Sequence, residues 1–253
     1  MNSVLSQQTV GQLVADRPSR SRIFERWGID YCCGGKKRLA ESCAALSIDF
    51  DAVQRELQDE AVVAVADVTN WTRAPLSELV ANIVSTHHAY LREALPRLTF
   101  LTQKVRDAHA KRRPELVELA EVFTAFRAEM EEHALKEEKV LFPYIEKLEG
   151  DGALPEIACG SACKAIQVLE SEHESAGSAL EIMRRLTNGY ATPEGACGTY
   201  RAMLDALAQL EADMHVHVHK ENSILFPRAI TRERMPARRV AHGIPALTGD
   251  ADL

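Results

Sequence analysis

From Leu76 to about residue 230, apolar positions recur every three or four residues in four long stretches, separated by "KRRP", "EGDGALPEIACG" and "NGYATPEG". That spacing is the helical period. It predicts helices over roughly 76–108, 114–149, 160–188 and 195–230. The β-branched alternation of strands is missing and helix formers are plentiful, so the expected fold is all-α. Upstream the segments are shorter. Thr9 can cap a helix carrying Val10, Leu13 and Val14. "PSRSRIFERWGI" reads as a second helix, with Pro18 near its start and Gly28 at its end. A third, "KKRLAESCAAL", is expected after Gly35, and a fourth, "SIDFDAVQRELQDE", is capped by Asp49 or Asp51. The pattern divides the chain into a small N-terminal helical domain (1–60), a linker (61–75), an antiparallel four-helix bundle (76–232) and a mobile tail (233–253).

Composition narrows the function. With 46% apolar residues in 253, a packed core is within reach. A net charge of −7 gives no reason to expect a nucleic-acid partner. The N-terminus has no basic-then-apolar signal, and the longest apolar stretch, around "AVVAVADV", is far too short to span a membrane. A cytoplasmic protein with reduced cysteines is therefore expected. About 60 N-terminal residues with few large apolar groups make a marginal core, which calls for a partner surface; a homodimer through this domain would provide one.

The chemistry lies in a repeat. "HALKEEKVLFP" (133–143) and "HVHKENSILFP" (217–227) share six of eleven positions. Residues four apart stand on one helical face, so His133 and Glu137 point together, as do His217 and Glu221. The apolar residues that follow place both pairs on the stripe to be buried. A lone carboxylate there costs several kcal/mol unless it is paired, protonated or metal-bound. His88 lies 45 residues before His133, and His173 lies 44 before His217. That interval fits a helix, a turn and a returning helix. Each half is then a helical hairpin in which one helix brings a single His and its partner a His-x-x-x-Glu pair. Two hairpins packed face to face bring four imidazoles and two carboxylates to one level, a dinuclear metal arrangement. With no thiolate, the set suits iron or manganese better than structural zinc.

These motifs carry a resemblance. With "THHAYLREALP" and "ESEHESAG", residues 76–230 resemble the hemerythrin-like four-helix domain, and residues 8–50, with "GIDYCCGG", resemble the short domain that accompanies it. Together they are similar to the iron–sulfur cluster repair di-iron family (ScdA/YtfE-type, or RIC). The resemblance implies two non-heme iron ions, bridged by carboxylates and an oxo or hydroxo group, on His88, His133, Glu137, His173, His217 and Glu221. It implies NO or O2 as small ligands, iron–sulfur client proteins as partners, and repair of clusters damaged by nitric oxide or oxidants. Oxygen-carrying hemerythrins use five His, and only four fall into place here. An O2 or NO sensor or carrier and a nitric oxide reductase are the rival readings.

Other residues are expected to play lesser parts. His87 cannot face the bundle axis together with His88. His215 and His219 are rotated away from His217, to the surface or a second layer. Glu129 and Asp213, each four residues before a His of the set, should face inward, to orient imidazoles, relay protons or form salt bridges. Phe142 and Phe226 should pack as core, and Pro143 and Pro227 should bend or end their helices. Cys32 and Cys33, beside a helix start and Lys36, Lys37 and Arg38, should have thiolate character and serve iron transfer or redox chemistry. Cys159 and Cys163 form a weak CxxxC signal, Cys43 and Cys197 are packing residues, and His109 and His242 have no site-like setting.

Overall fold

The computed structural model describes residues 7–59, 69–149 and 162–234, and all regular elements among them are helical. The linker residues 61–68, Cys159, His242 and nearly all of the tail lie outside the described residues.

α1 (Val10–Asp16) starts at a reciprocal cap: Gln12 N donates to Thr9 Oγ1, and Thr9 N donates to Gln12 Oε1. A short 3-10 turn at Pro18–Arg20 leads into α2 (Ser21–Trp27), which ends at Gly28 with φ of 66°. This left-handed geometry suits a residue without Cβ. α3 (Leu39–Ala45) begins at Leu39, not after Gly35. The intervening turn belongs to Asp30, whose carboxylate accepts the backbone N–H groups of Cys32, Cys33 and Gly34. A side chain that satisfies those donors removes the incentive to form a helix. α4 (Phe50–Asp59) is capped by Asp49, which accepts from Asp51 N.

The four long helices follow. α5 runs through Leu76–Asn82, a π turn at Ile83–His88, and Ala89–His109. α6 runs through Glu115–Lys136, a π turn at Glu137–Leu141, and Phe142–Glu149. α7 is Ala162–Leu186. α8 runs through Gly198–His219, a π turn at Lys220–Leu225, and Phe226–Arg234. Pro143 and Pro227 therefore do not end their helices. A proline offers no N–H to the preceding turn, and in both helices that turn has widened to a π turn.

α5 packs on α6 and α8, and α7 packs on α6 and on the end of α8. The bundle core is in two apolar parts. Leu91, Phe123, Phe126 and Leu210 belong to one; Ile83, Leu141, Leu169 and Leu225 belong to the other. His88, Glu137, His173 and Glu221 fall between these parts along each helix.

The N-terminal domain has its own small core, including Leu13, Phe24, Leu39 and Val53. The partner surface it calls for is furnished by the bundle of the same chain. Cys32 belongs to the apolar cluster of the bundle. Tyr31 packs edge-on against His215 and His219, with ring centroids 6.2 and 5.5 Å away. Lys36 pairs with Glu170 of α7 at 2.7 Å. No helix among the described residues is long and apolar enough to cross a membrane.

Candidate metal centre

The side chains of His88, His133, Glu137, His173, His217 and Glu221 are buried and meet at one level of the bundle. Their ligand atoms form two groups, His88–Glu137–His217–Glu221 and His133–Glu137–His173–Glu221, each within 4.8 Å. Both carboxylates belong to both groups. Glu137 Oε2 lies 3.2 Å from His88 Nε2 and 3.4 Å from His133 Nε2. Glu221 lies 2.9 Å from His217 Nε2 and 3.2 Å from His173 Nε2. Two carboxylates shared between two imidazole pairs are the donor set for two cations bridged by carboxylates.

Unsatisfied atoms test whether a metal fits. Both oxygens of Glu137, Oε2 of Glu221 and Nε2 of His88 are buried with no hydrogen-bond partner among the described residues. Buried polar atoms are normally paired, and these orphans all point into the same small volume. His133 Nε2 and His173 Nε2 face each other at 3.0 Å, a contact between two ring nitrogens that a shared proton or a cation relieves. Burial opposes charge on His173, but Glu221 outweighs it and raises the imidazole to about 9. Burial likewise works to raise Glu221, yet His217 and His173 hold it well below the usual carboxylate range. The site thus favours a charged Glu221 balanced by positive charge, which metal ions would provide.

The outer nitrogens are held unequally. His88 Nδ1 lies 2.8 Å from Glu138, His133 Nδ1 2.8 Å from Glu172, and His173 Nδ1 2.8 Å from Asn222. Such partners fix the tautomer and orientation of a ligating imidazole. His217 Nδ1 has none among the described residues. Phe142 and Phe226 are buried, stacked on His88 and His173.

Glu129 and Asp213, expected to face inward and to orient imidazoles, relay protons or form salt bridges, take different places. Glu129 does not face inward: it is exposed and accepts from Ser175. Asp213 bonds His87, at 2.8 Å, and not a residue of the set. His87 is buried alongside His88, in the widened π turn, and its Nε2 contacts Lys220 at 2.9 Å. His219 is buried against Tyr31, and burial depresses its imidazole to about 4. The missed residues Glu138 and Asn222 had a signal: each directly follows the Glu of its repeat.

The cysteine pair also differs from expectation. Cys33 Sγ donates to the main-chain oxygen of His173 at 3.3 Å, so the thiol loop rests directly on α7. Asn222 Nδ2 reaches Cys32 O at 3.4 Å. A hydrogen bond from Cys32, and not the basic cluster, lowers Cys33, while that bond and burial raise Cys32 well above the ordinary thiol. Of the two thiols, only Cys33 is lowered. A cavity of about 320 Å³ opens beside them, lined by Lys36, Glu170 and Glu174 as well.

At the far end of the bundle, Cys197 is no packing residue. It is exposed, at the N-terminus of α8, with His109 Nε2 3.3 Å from its sulfur. The His109 hydrogen bond, with help from backbone N–H groups, lowers this thiol to about 7. Cys43 is buried in the N-terminal core.

Comparison with known proteins gives two family matches. Residues 79–229 match the hemerythrin HHE cation-binding domain. Residues 6–61 match the ScdA_N family, described as a domain of unknown function. The chain is 35% identical over 226 residues to the iron–sulfur cluster repair protein YtfE of Pectobacterium atrosepticum, covering 89% of this chain and 98% of that one. YtfE proteins of Pectobacterium carotovorum, at 34%, and Escherichia coli, at 35%, match over the same shares.

Proposed function

Since this chain belongs to the hemerythrin-like iron–sulfur cluster repair family, we propose that it restores damaged iron–sulfur clusters through two non-heme irons in the bundle, with the thiol loop as its face toward the client. The observation that carries this reading is the pair of buried glutamates, each shared by two imidazole pairs; among the described residues both oxygens of Glu137 and Oε2 of Glu221 have no hydrogen-bond partner. His88 and His217 would hold one iron, His133 and His173 the other, and Glu137 and Glu221 would bridge them. Bound there, the irons supply open coordination positions for NO or O2 and a store of iron for a client cluster.

The chain's own residues do the rest. Glu138, Glu172 and Asn222 hold three imidazoles with Nε2 inward. Phe142 and Phe226 keep water from the rings they cover. Cys33, of lowered pKa and beside the cavity, is the group suited to take or pass a thiophilic ion. Its placement against His173 favours repair over simple carriage of a gas. This reading puts the work in the cytoplasm, among iron–sulfur client proteins, a compartment in which thiols such as Cys33 stay reduced.

The test uses full-length protein from iron-replete cells. It should hold about two irons per chain and restore activity to an iron–sulfur enzyme inactivated by nitric oxide. Joint replacement Cys32→Ala and Cys33→Ala should leave the iron in place and weaken restoration. One zinc per chain, or repair at the wild-type rate by the double variant, would refute the respective half of the proposal.

A further inference from the structure

The repeat is nearly symmetric in sequence, yet its two halves support their imidazoles differently. In one half, Lys136 Nζ holds Glu172 at 2.6 Å, and Glu172 in turn accepts from His133 Nδ1 at 2.8 Å. Glu172 is the residue directly before His173. The corresponding lysine of the other repeat is Lys220, and the residue directly before His88 is His87. Lys220 Nζ does contact His87, at 2.9 Å. The chain of contacts stops there. His87 turns its Nδ1 to Asp213 and stacks flat on His217, with ring centroids 5.2 Å apart and planes 2° from parallel. A ring offering its face and not an edge atom cannot accept the Nδ1 proton of His217. That nitrogen is buried without a partner among the described residues.

The consequence follows from the chemistry of a ligating imidazole. A neutral ring that gives Nε2 to a metal carries its proton on Nδ1. An acceptor for that proton fixes the ring and makes it a better donor; losing one typically costs ten- to a hundredfold in metal affinity. The group containing His133 and His173 has an acceptor behind both rings, Glu172 and Asn222. The group containing His88 and His217 has one behind His88 alone, Glu138. Glu137 and Glu221 are common to both groups, so they do not offset the difference.

We infer that the two metal positions are unequal, and that the iron on His88 and His217 is the one released first, because His87 stands where the other half has a carboxylate. This rests on the dinuclear reading above and deepens it by naming the iron available for transfer. His87 is then a positioning residue that keeps one site weak, and the His133–His173 site retains its metal.

The experiment follows iron leaving the full-length, iron-loaded protein into excess ferrous chelator under anaerobic conditions. The wild type should release iron in two phases of equal amplitude, their rates differing by about tenfold or more. His87→Gln removes the stacked ring and offers an amide oxygen as an acceptor for His217 Nδ1 and an amide N–H as a donor for Asp213. It should slow the fast phase by a similar factor and leave the slow one alone. His87→Glu, which copies Glu172 with Lys220 in the role of Lys136, is a second installation of the same acceptor. Glu172→Ala should do the reverse, speeding the slow phase and sparing the fast one. Two irons leaving the wild type at one rate, a fast phase unmoved by both His87 variants, or a Glu172→Ala effect on the fast phase alone would overturn the inference. Wild-type protein that takes up no iron would overturn the dinuclear reading itself, so the two failures are told apart by the starting iron content.

Discussion

At the scale of single residues, burial and partners separate histidines that look alike in the sequence. His215 is partly exposed, whereas His219 is buried and packs on Tyr31. Glu137→Ala or Glu221→Ala should remove a shared carboxylate and lower the iron content measured on purified protein. His215→Ala should leave iron unchanged. His219→Ala should also spare iron but weaken the contact with the N-terminal domain, lowering the denaturant midpoint by an amount equivalent to about 1–2 kcal/mol. Equal iron loss from all four would contradict the observed helical register. Cys197 supplies a pH test. Its thiol is lowered to about 7 chiefly by His109. The reactive thiolate is therefore present above pH 7 and lost as pH falls through that value. Alkylation of the Cys197 peptide should show its midpoint there, moving up toward the ordinary thiol value in His109→Ala. An unchanged midpoint would mean that the helix terminus alone sets the ionisation.

At the scale of elements, the ends and interruptions of the long helices matter most. α5 begins at Leu76 without a cap from its own sequence. Glu149, at the end of α6, accepts from Leu76 N at 2.6 Å and from Ser77 N at 3.0 Å. The cap thus joins the start of one helix to the finish of its hairpin partner. Burial tends to raise Glu149, but the hydrogen bonds from Ser77 and Leu76 outweigh it and hold the carboxyl below the usual range. A depressed carboxylate contributes stability above its unfolded-state pKa and loses that contribution as pH falls through the folded value. Glu149→Ala should cost about 1 kcal/mol at neutral pH, with a smaller difference from wild type in acid. Urea unfolding at about pH 7 and at about pH 3 would measure both; a cost that persists at low pH would assign the effect to packing. Three of the four long helices carry a π turn at the level of the site, while α7 carries none. Pro143 and Pro227 favour two of these turns, and they advertise a helix end that does not occur.

At the scale of the whole molecule, the N-terminal domain is fitted to the bundle through glycines. A Cβ on Gly35 would come within 2.6 Å of Tyr31 O and 3.1 Å of Ser223 Oγ, and one on Gly11 within 2.4 Å of Ser223 Oγ. Ser223 lies in the π turn of α8, two residues after Glu221. Gly35→Ala meets the loop's own Tyr31 carbonyl, which cannot swing aside, so it should distort the thiol loop and disturb its seat on Ser223. Hydrogen exchange at residues 31–37 should quicken, while the bundle helices keep their protection and the protein its iron. Unchanged exchange in that loop would show the docking to be insensitive to this contact.

Local regularities were legible in the chain. The helical period, the Thr9 cap, Gly28 as a terminator and the duplicated His-x-x-x-Glu are short-range features whose geometry is set by neighbours within a few residues. They sufficed for an all-α fold and for placing four histidines and two glutamates at one level of a bundle. Tertiary structure decided what depends on partners remote in sequence. Asn222 orients a histidine 49 residues away; Glu172 reaches one 39 away; Cys33 meets a carbonyl 140 residues away. His109 and Cys197 looked inert apart and form a pair 88 residues apart. Glu129 and Asp213 occupy equivalent places in the repeat, yet one is exposed beside Ser175 and the other holds His87. A hydrogen bond or a depressed pKa belongs to a pair of groups and their dielectric surroundings, and only the packed chain brings those together.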